Sequence, residues 1–339
     1  MTRPVLAPAS VSEPRHERER PRFDVTSVGE SMIRLSTDPG VRLGTTDTLR
    51  VHVAGAESNV CAALASLGRE VSLATKLPRG PWGDRVRTEL RTWGVGDGGV
   101  VTSNEGRVGT YYVELAPPPM PSRVIYDRDP SAFRSLTRDE IDWASLLDTR
   151  ILHLTGITPA LGSEAAEIVA EAARAARSQG VLVSFDVNYR QRLWSQAEAA
   201  PVILRLMRQA DVVFCSRRDA HLLFGAEGDD EQVLGEVRSR TDARWVVVSH
   251  GDEGVIAWCD GATERRPATT VATVIDRIGA GDAMAAGFLD GLLDGDARAG
   301  LARGTALAAY ALSLRGDVAT VSRDELLALA DAQVGDVAR

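Results

Sequence analysis

Short apolar runs alternate with longer amphipathic segments along most of the chain. Runs rich in Val, Ile, Leu and Phe predict strands, and apolar residues that recur every three or four positions predict helices. The predicted strands are Phe23–Val28, Met32–Leu35, Val51–Val53, Val71–Ala74, Ile151–Leu154, Val181–Asp186, Val212–Cys215, Trp245–Ser249 and Gly254–Trp258. The predicted helices are Asn59–Leu67, Arg85–Trp93, Ser163–Gln179, Ala197–Gln209, Asp219–Phe224, Ala280–Leu293, Ala297–Ser313 and Arg323–Ala332. This alternation predicts an α/β fold with a mainly parallel sheet and helices on both faces.

One β-like stretch departs from this alternation. Val108–Leu115 and Arg123–Tyr126 flank a proline-rich turn, Pro117–Pro121. Two strand patterns joined by such a turn predict a hairpin, and we expect it to lie outside the main sheet.

The two ends of the chain lack a pattern that could build a core. Residues 1–22 contain five Arg, three Glu and four Pro with almost no apolar periodicity, which predicts a disordered tail. We expect one domain over residues 23–333 and a short C-terminal tail at 334–339.

Composition excludes several classes of protein. The 39 basic and 47 acidic residues give a net charge of −8, so we expect no nucleic-acid partner. Apolar runs fall short of the roughly 20 residues that a membrane helix needs, and the N-terminus lacks the apolar core of a signal peptide. We therefore expect no membrane partner and a cytoplasmic location. Cys61, Cys215 and Cys259 are too far apart to indicate a disulfide framework or a zinc site.

Lysine usage narrows the ways in which the protein could handle phosphate. Lys76 is the only lysine, and no glycine-rich turn precedes it. A P-loop needs a lysine at the end of such a turn, and protein kinases need one on their third strand. Both families are excluded, and any phosphoryl transfer must use backbone amides, arginine and metal.

The most informative segment is the loop that leads into the Ala-rich helix at Ala280. Gly279 and Gly281 leave consecutive backbone N–H groups bare at a helix start, where the helix dipole favours an anion. Asp282 falls in the first turn of this helix. It is either an N-terminal cap or a general base beside an anion site, and the two glycines favour the base.

Two signatures carry a family resemblance. Asp276–Ala283 (Asp-Arg-Ile-Gly-Ala-Gly-Asp-Ala) resembles the C-terminal signature of the ribokinase (PfkB) family of carbohydrate kinases, and Ala54–Gly68 resembles its N-terminal signature. The resemblance spans roughly Phe23 to Leu329. It implies a ribokinase-like three-layer α/β/α sandwich with a small β-sheet lid, contributed by about residues 31–53 and 107–126.

The resemblance also implies roles for the residues of both signatures. In the family the Gly-Ala-Gly amides form the anion hole and the aspartate is the catalytic base, which matches Gly279, Ala280, Gly281 and Asp282. The glycine turn and the helix asparagine that hold the sugar match Gly55 and Asn59. Taken alone, these two would be an ordinary turn and a helix cap.

Three segments are similar to those of 2-keto-3-deoxygluconate kinases (2-dehydro-3-deoxygluconokinases). In Asp186–Ser195, which follows a buried strand, the resemblance directs Asn188 to the nucleotide phosphates and Arg190 to an acid substrate. In Val108–Glu114 it makes Tyr111 a wall of the sugar pocket. Ser122–Ala132 resembles the strand that returns from the lid. Arg107, Arg128 and Arg190 could bind a carboxylate bidentately, although surface arginines are usually solvated.

The remaining site residues are implied by the resemblance, with ordinary structural alternatives left open. The glycine loop with Ser249, Gly251 and Gly254 would lie along the nucleotide, or it is a plain hairpin turn. Asp317 would bind substrate hydroxyls, or it is a turn aspartate.

The chain departs from the family pattern at four positions. Ala54 replaces the first glycine of a Gly-Gly pair, and Thr305 replaces an asparagine near the adenine. Asp219 replaces the glutamate of a magnesium-associated Asn-x-x-Glu segment and remains the expected metal residue. Val113 stands where many sugar-acid kinases carry an arginine two residues after the lid tyrosine.

The sequence therefore predicts a kinase that uses ATP and Mg²⁺ to phosphorylate a primary hydroxyl of a sugar acid, 2-keto-3-deoxygluconate being the first expectation. A fructokinase, a ribokinase or a 5-keto-2-deoxygluconate kinase is the alternative on the same scaffold. A dinucleotide-dependent oxidoreductase is a remote one, because the third glycine of its motif is missing. A monovalent-cation requirement and a homo-oligomer formed through the lid are open expectations.

Overall fold

The computed structural model describes residues 20–116 and 120–331. The predicted N-terminal tail lies almost entirely outside these residues, and the predicted C-terminal tail lies outside them completely. Part of the proline-rich turn is also outside the described residues.

The strands within the described residues form two sheets. In chain order they are β1 (Phe23–Val28), β2 (Met32–Ser36), β3 (Arg50–Ala54), β4 (Val71–Pro78), β5 (Val100–Ser103), β6 (Thr110–Glu114), β7 (Arg123–Asp127), β8 (Thr149–Thr155), β9 (Leu182–Asp186), β10 (Val212–Ser216), β11 (Trp245–Ser249), β12 (Val255–Cys259) and β13 (Ala262–Arg266). The large sheet has nine strands in the order β13-β12-β11-β10-β9-β8-β1-β4-β5. All its pairs are parallel from β5 to β11, and the last two pairs are antiparallel. The mainly parallel sheet predicted from the sequence is confirmed.

The four-stranded second sheet, called the small sheet below, has the order β3-β2-β6-β7. The β6–β7 pair is antiparallel, with Tyr111 opposite Tyr126, so the predicted hairpin outside the main sheet is confirmed. Strand β2 pairs with β6 in parallel and with β3 in antiparallel orientation. In this register Arg34 lies between His52 and Tyr111, and all three side chains share one face of the sheet.

The helices cover both faces of the large sheet. They are α1 (Ala56–Ser66), α2 (Pro81–Thr92), α3 (Trp143–Leu147), α4 (Ser163–Ser178), α5 (Gln196–Met207), α6 (Arg217–Phe224), α7 (Asp230–Arg238), α8 (Ala280–Leu293), α9 (Ala297–Ser313) and α10 (Arg323–Asp331). One apolar core joins α1, α2, α8 and α9 to the sheet, and a second core joins α4 to α7 to its other face. This is the predicted three-layer arrangement. Each described helix is too short or too polar to span a membrane.

The sequence pattern missed several short elements. Strand β13 reads Ala-Thr-Glu-Arg-Arg and carries no apolar run, because it forms an exposed edge that only its antiparallel partner β12 orders. Helix α7 begins with a capping box in which Asp229 and Gln232 bond each other's backbone amides, a signal that the apolar pattern alone does not reveal.

Candidate active site

A pocket of about 500 Å³ opens between the small sheet and the carboxyl ends of the central strands of the large sheet. Open α/β sheets bind ligands at this edge. The predicted site residues that line it are Gly55, Asn59, Tyr111, Asn188, Arg190, Asp219, Ser249, Gly279, Gly281, Asp282 and Asp317. The fold thus brings together residues that are scattered over most of the sequence.

Asp282 lies in the first turn of α8 with its carboxylate directed at α1. The α8 N-cap is Gly279, and Asp282 makes no capping bond to the helix amides. Its Oδ2 accepts instead from Asn59 Nδ2 at 2.7 Å, and Asn59 Oδ1 accepts from the amide of Gly55 at 3.2 Å. Asp282 is therefore not the cap of α8. Burial raises the pKa of Asp282 well above its usual value, against the lowering effect of the Asn59 hydrogen bond.

The turn before α8 presents its backbone to the pocket. Gly279 has a φ of 90°, and a Cβ there would lie 2.0 Å from the carbonyl oxygen of Asp317. At Gly281 an added Cβ would meet no atom of the described residues within 4 Å. Gly279 is thus required by the fold itself, whereas Gly281 lines the pocket with open space beside it. Ala280, whose own amide belongs to this turn, is the first residue of the helix.

Gly55 is explained by close packing of backbones at the start of α1. A Cβ on this residue would lie 2.2 Å from the carbonyl oxygen of Glu30. Asn59 lies inside α1 and bonds both to this turn and to Asp282, so it joins the two helix starts. Ala54, which replaces the first glycine of the usual pair, is fully buried.

A buried ion cluster connects the small sheet to the turn before α8. Arg34 of β2 pairs with Asp276 through Nη2 and with Asp317 through Nη1. Asp317 also accepts a hydrogen bond from the Tyr111 hydroxyl, and burial raises the pKa of that hydroxyl well above its usual value. Asp317 is held by these partners rather than forming a simple turn bond. The sequence analysis did not single out Arg34, because one arginine within a strand pattern carries no signal of its partners.

Arginines reach the pocket from two sides. Arg190 lines it near the end of β9, and Arg128 lines it just after β7. Arg128 Nε donates to Glu30 Oε2 at 3.0 Å, and both side chains are buried. Arg107, by contrast, pairs with Asp127 at the protein surface.

Arg128 bears on the expectation for Val113, which stands where many sugar-acid kinases carry an arginine. Val113 is fully buried in the apolar cluster of the small sheet and offers no charge. Arg128, however, follows Tyr126 by two residues, and both line the pocket. The hairpin therefore carries an arginine two residues after its second tyrosine, Tyr126, rather than after Tyr111.

Acidic side chains from the ends of β9 and β10 face the same pocket. The pKa of Asp186 is raised to about 7, chiefly by burial; Arg190 opposes the rise and the nearby Asp219 adds to it. Burial also raises the pKa of Asp219, whose Oδ2 accepts from the amide of Tyr189 at 3.2 Å. Asn188 has a φ of 37° and directs its amide to Asp186. Two neighbouring carboxylates, Asp186 and Asp219, are a donor set that suits a hard divalent cation such as Mg²⁺.

The predicted nucleotide loop is only partly at the pocket. Among its described residues, Ser249 lines the pocket, whereas Gly251 and Gly254 do not. Gly254 has a φ of 104°, and a Cβ there would lie 2.2 Å from the carbonyl oxygen of Arg266. The hairpin packing is a sufficient reason for this glycine. The Thr305 hydroxyl bonds the backbone of its own helix at Leu301 and Ala302.

Glu57 is a pocket residue that the sequence analysis did not assign. It belongs to α1, lines the pocket and is almost completely buried. Its Oε1 accepts from the hydroxyls of Thr155 at 2.7 Å and Thr158 at 2.5 Å, and burial raises its pKa. A charged residue within an Ala-rich helix start is the one signal that could have revealed it.

A carboxylate with a raised pKa beside bare helix amides, in a pocket covered by a separate sheet, defines an α/β enzyme equipped for group transfer to a hydroxyl. Comparison with known sequences makes this assignment specific. The sequence model of the pfkB family of carbohydrate kinases matches residues 22–324. The chain therefore belongs to this family and is a carbohydrate kinase with the ribokinase-like fold.

Named relatives and solved structures agree with the family. The chain is 37% identical over 304 residues to a 2-dehydro-3-deoxygalactonokinase of Haloferax volcanii, covering 89% of this chain and 95% of that protein. It is 29% identical over 313 residues to a 5-dehydro-2-deoxygluconokinase of Listeria monocytogenes, covering 91% and 96%. The structure of a 2-dehydro-3-deoxygluconokinase from Thermotoga maritima superposes with a TM-score of 0.85 at 32% identity, covering 91% of this chain and all of that one.

Proposed function

We propose that this kinase transfers the γ-phosphoryl group of ATP to the primary hydroxyl of a sugar acid, with 2-keto-3-deoxy-D-gluconate as the acceptor and its 6-phosphate as the product. The observation that carries the proposal is the meeting of Asp282, the bare Gly279–Gly281 turn and two arginines in one pocket. A hydroxyl base, an anion site and carboxylate-binding groups are the three parts that such a transfer needs.

In the proposed reaction Asp282 accepts the proton of the substrate hydroxyl as the oxygen attacks. The O–P bond to the acceptor forms while the bond between the γ-phosphorus and the bridging oxygen breaks, and ADP leaves with that electron pair. The amides of Gly279, Ala280 and Gly281 stabilise the charge on the transferring group. Asn59 holds the carboxylate of Asp282 in place, since its Nδ2 donates to Oδ2 at 2.7 Å. The small sheet acts as a lid that excludes water, which would otherwise accept the phosphoryl group.

Nucleotide and metal would occupy the side of the pocket formed by the ends of β9 to β11. Asn188 and Ser249 lie at the ends of two of these strands, and together with Gly279 and Gly281 they line the pocket and are proposed to contact ATP. Gly251 and Gly254 shape the adjoining hairpin. Asp219, with Asp186 beside it, would hold Mg²⁺ through its water shell, and the ion supplies charge neutralisation of the phosphates when it is bound.

The sugar acid would lie on the other side, against the small sheet and α1. Gly55, Asn59, Tyr111 and Asp317 line the pocket together with Asp282. The carboxylate of the substrate is assigned to Arg128 and Arg190. Arg128 has Nη1 free of the bonds to Glu30, which use Nε and Nη2.

A second candidate acceptor is 2-keto-3-deoxygalactonate, which differs at one hydroxyl-bearing carbon. The 37% identity to a protein named 2-dehydro-3-deoxygalactonokinase favours it. Both acceptors carry the carboxylate that the arginines would bind, so either choice leaves the mechanism unchanged.

An ATP-dependent competition assay tests the acceptor. The two 2-keto-3-deoxy acids, 5-keto-2-deoxygluconate, fructose and ribose are supplied together at equal concentration, and the phosphorylated products are separated. Hydrogen bonds to a charged group contribute about 1.5–3 kcal/mol, so the carboxylates should be preferred over the neutral sugars by roughly 10- to 100-fold. Equal or faster phosphorylation of fructose or ribose would refute the sugar-acid proposal.

Two further expectations stay predictions. Dependence on a monovalent cation is measured by comparing turnover in potassium and tetramethylammonium salts. Self-association through the lid would use the outer face of the small sheet, where the row Val51, Leu35, Tyr112 and Ile125 crosses all four strands and is partly or fully exposed.

A further inference from the structure

Arg34 is an unusual residue for the centre of a strand. Its side chain has no exposed surface, and among the described residues it is the largest side chain that is fully buried. It pairs with Asp276 and Asp317, which are 242 and 283 positions away in sequence. A buried guanidinium is costly to desolvate, so a site that keeps one must satisfy it with partners.

Both partners of Arg34 touch the turn that precedes α8. Asp276 Oδ1 accepts from the amide of Ile278 at 3.1 Å, which fixes the chain one residue before Gly279. The carbonyl oxygen of Asp317 packs against Gly279, where a Cβ would lie at 2.0 Å. The two aspartates whose carboxylates Arg34 holds therefore contact adjacent residues of the turn, Ile278 and Gly279.

The charge of the cluster explains why an arginine is present. Burial raises the pKa of Asp276, and the guanidinium of Arg34 opposes that rise. Two buried carboxylates without a cation would repel each other, and one would take up a proton. A guanidinium is planar and offers separate N–H groups to each carboxylate, whereas an ammonium is a point charge that cannot hold both in the same geometry.

The other end of the arginine is fixed in the small sheet. Arg34 lies opposite His52 on β3 and Tyr111 on β6, and the Tyr111 hydroxyl donates to Asp317. The sheet that covers the pocket is thus bonded directly to the turn whose amides face it.

We infer that Arg34 is a positioning residue for phosphoryl transfer: through Asp276 and Asp317 it holds the Gly279–Gly281 amides in the geometry that the transferring group requires. The inference rests on the proposed role of those amides. It assigns to Arg34 no contact with substrate. A misplacement of about 1 Å can cost about 10²-fold in rate, so the effect on turnover should be large even though the residue is remote from the reacting atoms.

A matched pair of substitutions tests this role. Arg303 also bridges two aspartates, since its Nη1 donates to Asp290 and Asp294 at 2.7 Å, and it is largely buried at the far end of α8. Arg34→Lys and Arg303→Lys keep the charge and replace the planar guanidinium by an ammonium group. We expect Arg34→Lys to lower kcat by about 10²-fold with a much smaller change in the KM for ATP. Arg303→Lys should lower thermal stability and leave kcat within about twofold. Equal effects of the two variants on kcat would overturn the inference.

Chemical rescue separates positioning from folding. In Arg34→Ala, methylguanidinium at millimolar concentration can occupy the vacated space, and turnover and melting temperature are followed together. We expect turnover to recover by at least about tenfold. Restored melting temperature without restored turnover would show a structural role only and would overturn the inference. Asp282→Asn distinguishes failure of the underlying proposal: if that variant turns over normally, the assigned site is wrong whatever Arg34 does.

Discussion

Replacement of Asp282 by asparagine is the most direct test of the proposed base. The change keeps the size of the side chain and removes its ability to accept a proton. The partner amide of Asn59, 2.7 Å away, can still be satisfied because the asparagine offers its Oδ1. A general base contributes about 10²–10⁴-fold to rate, so kcat should fall by at least about 10²-fold. Binding of ATP, followed by calorimetry, should be nearly unchanged.

Asp290→Asn supplies a control on the same helix. Asp290 is fully buried and pairs with Arg69, Arg303 and Arg323, so its neutralisation should destabilise the fold. Its turnover per folded molecule should stay within about twofold, because it lies about two turns from the pocket. Near-normal turnover of Asp282→Asn, or an equal loss in both variants, would refute the assignment of the base.

The pH dependence of kcat/KM in the Asp282→Asn and Asp290→Asn variants tests the proposed base independently. Burial raises the pKa of Asp282 above its usual value of 3.8, so the proton-accepting form is populated only above that raised pKa. The acid limb of kcat/KM should therefore lie well above pH 3.8 and rise with pH. Asp186, with a pKa of about 7, interacts with Asp282, so the limb reports the pair rather than one group. The limb should be lost or displaced in Asp282→Asn and retained in Asp290→Asn.

Two further predictions concern the anion turn and a buried histidine. Gly281→Ala should fold normally, because the new Cβ meets no described atom within 4 Å. It should nevertheless lower turnover by about 10-fold or more, because the new methyl group would crowd the proposed anion site. Unchanged kinetics at a normal melting temperature would contradict this prediction. His153 is fully buried, and burial lowers its pKa from 6.5 to about 4. The unfolded chain therefore takes up a proton first as pH falls, and about 3.5 kcal/mol of stability should be lost between pH 6.5 and about 4, at about 1.4 kcal/mol per pKa unit. Urea unfolding of wild type and His153→Gln over this pH range measures the free energy of unfolding. If that free energy falls equally with pH in both proteins, the prediction for His153 is wrong.

The sequence correctly predicted the helices and strands that are marked by a local pattern of apolar residues and glycines. The buried strand before Asp186 and the helix after Gly279 are confirmed within one or two residues, because apolar runs and glycines mark their ends. Elements that depend on a partner were missed: β13 has no apolar run and exists as the edge of a sheet. The hairpin was predicted because its two strands and its turn are adjacent in sequence.

The candidate site was predictable only where its residues fall in recognisable motifs. Asp282 and Asn59 each belong to a signature, but the bond between them joins residues 223 positions apart and had to be observed. The ion cluster around Arg34 was harder still to predict from the sequence, because the partners of Arg34 lie near the opposite end of the chain. Arg128 was one of three candidate arginines, and only the fold separates it from the surface pair of Arg107 and Asp127.

Two groups of acidic side chains in this chain show how electrostatics separates a structural cluster from a candidate active site. Beyond the far end of α8, Asp294 is surrounded by Arg69, Arg303 and Arg323, and its pKa is lowered to about 2. Its charge is already neutralised, and it contributes to stability. In the pocket, burial raises the pKa of each of Asp186, Asp219, Asp282 and Glu57.

The pocket acids therefore remain poorly compensated within the described residues, although Arg190 lies among them. Folding alone gains nothing from such an arrangement, since each buried carboxylate raises the cost of ionising the next. A bound cation would remove part of that cost, and a substrate proton would find a ready acceptor. The poor charge compensation of the pocket acids is thus the physical reason to assign the chemistry to the pocket and not to the better-paired cluster around Asp294.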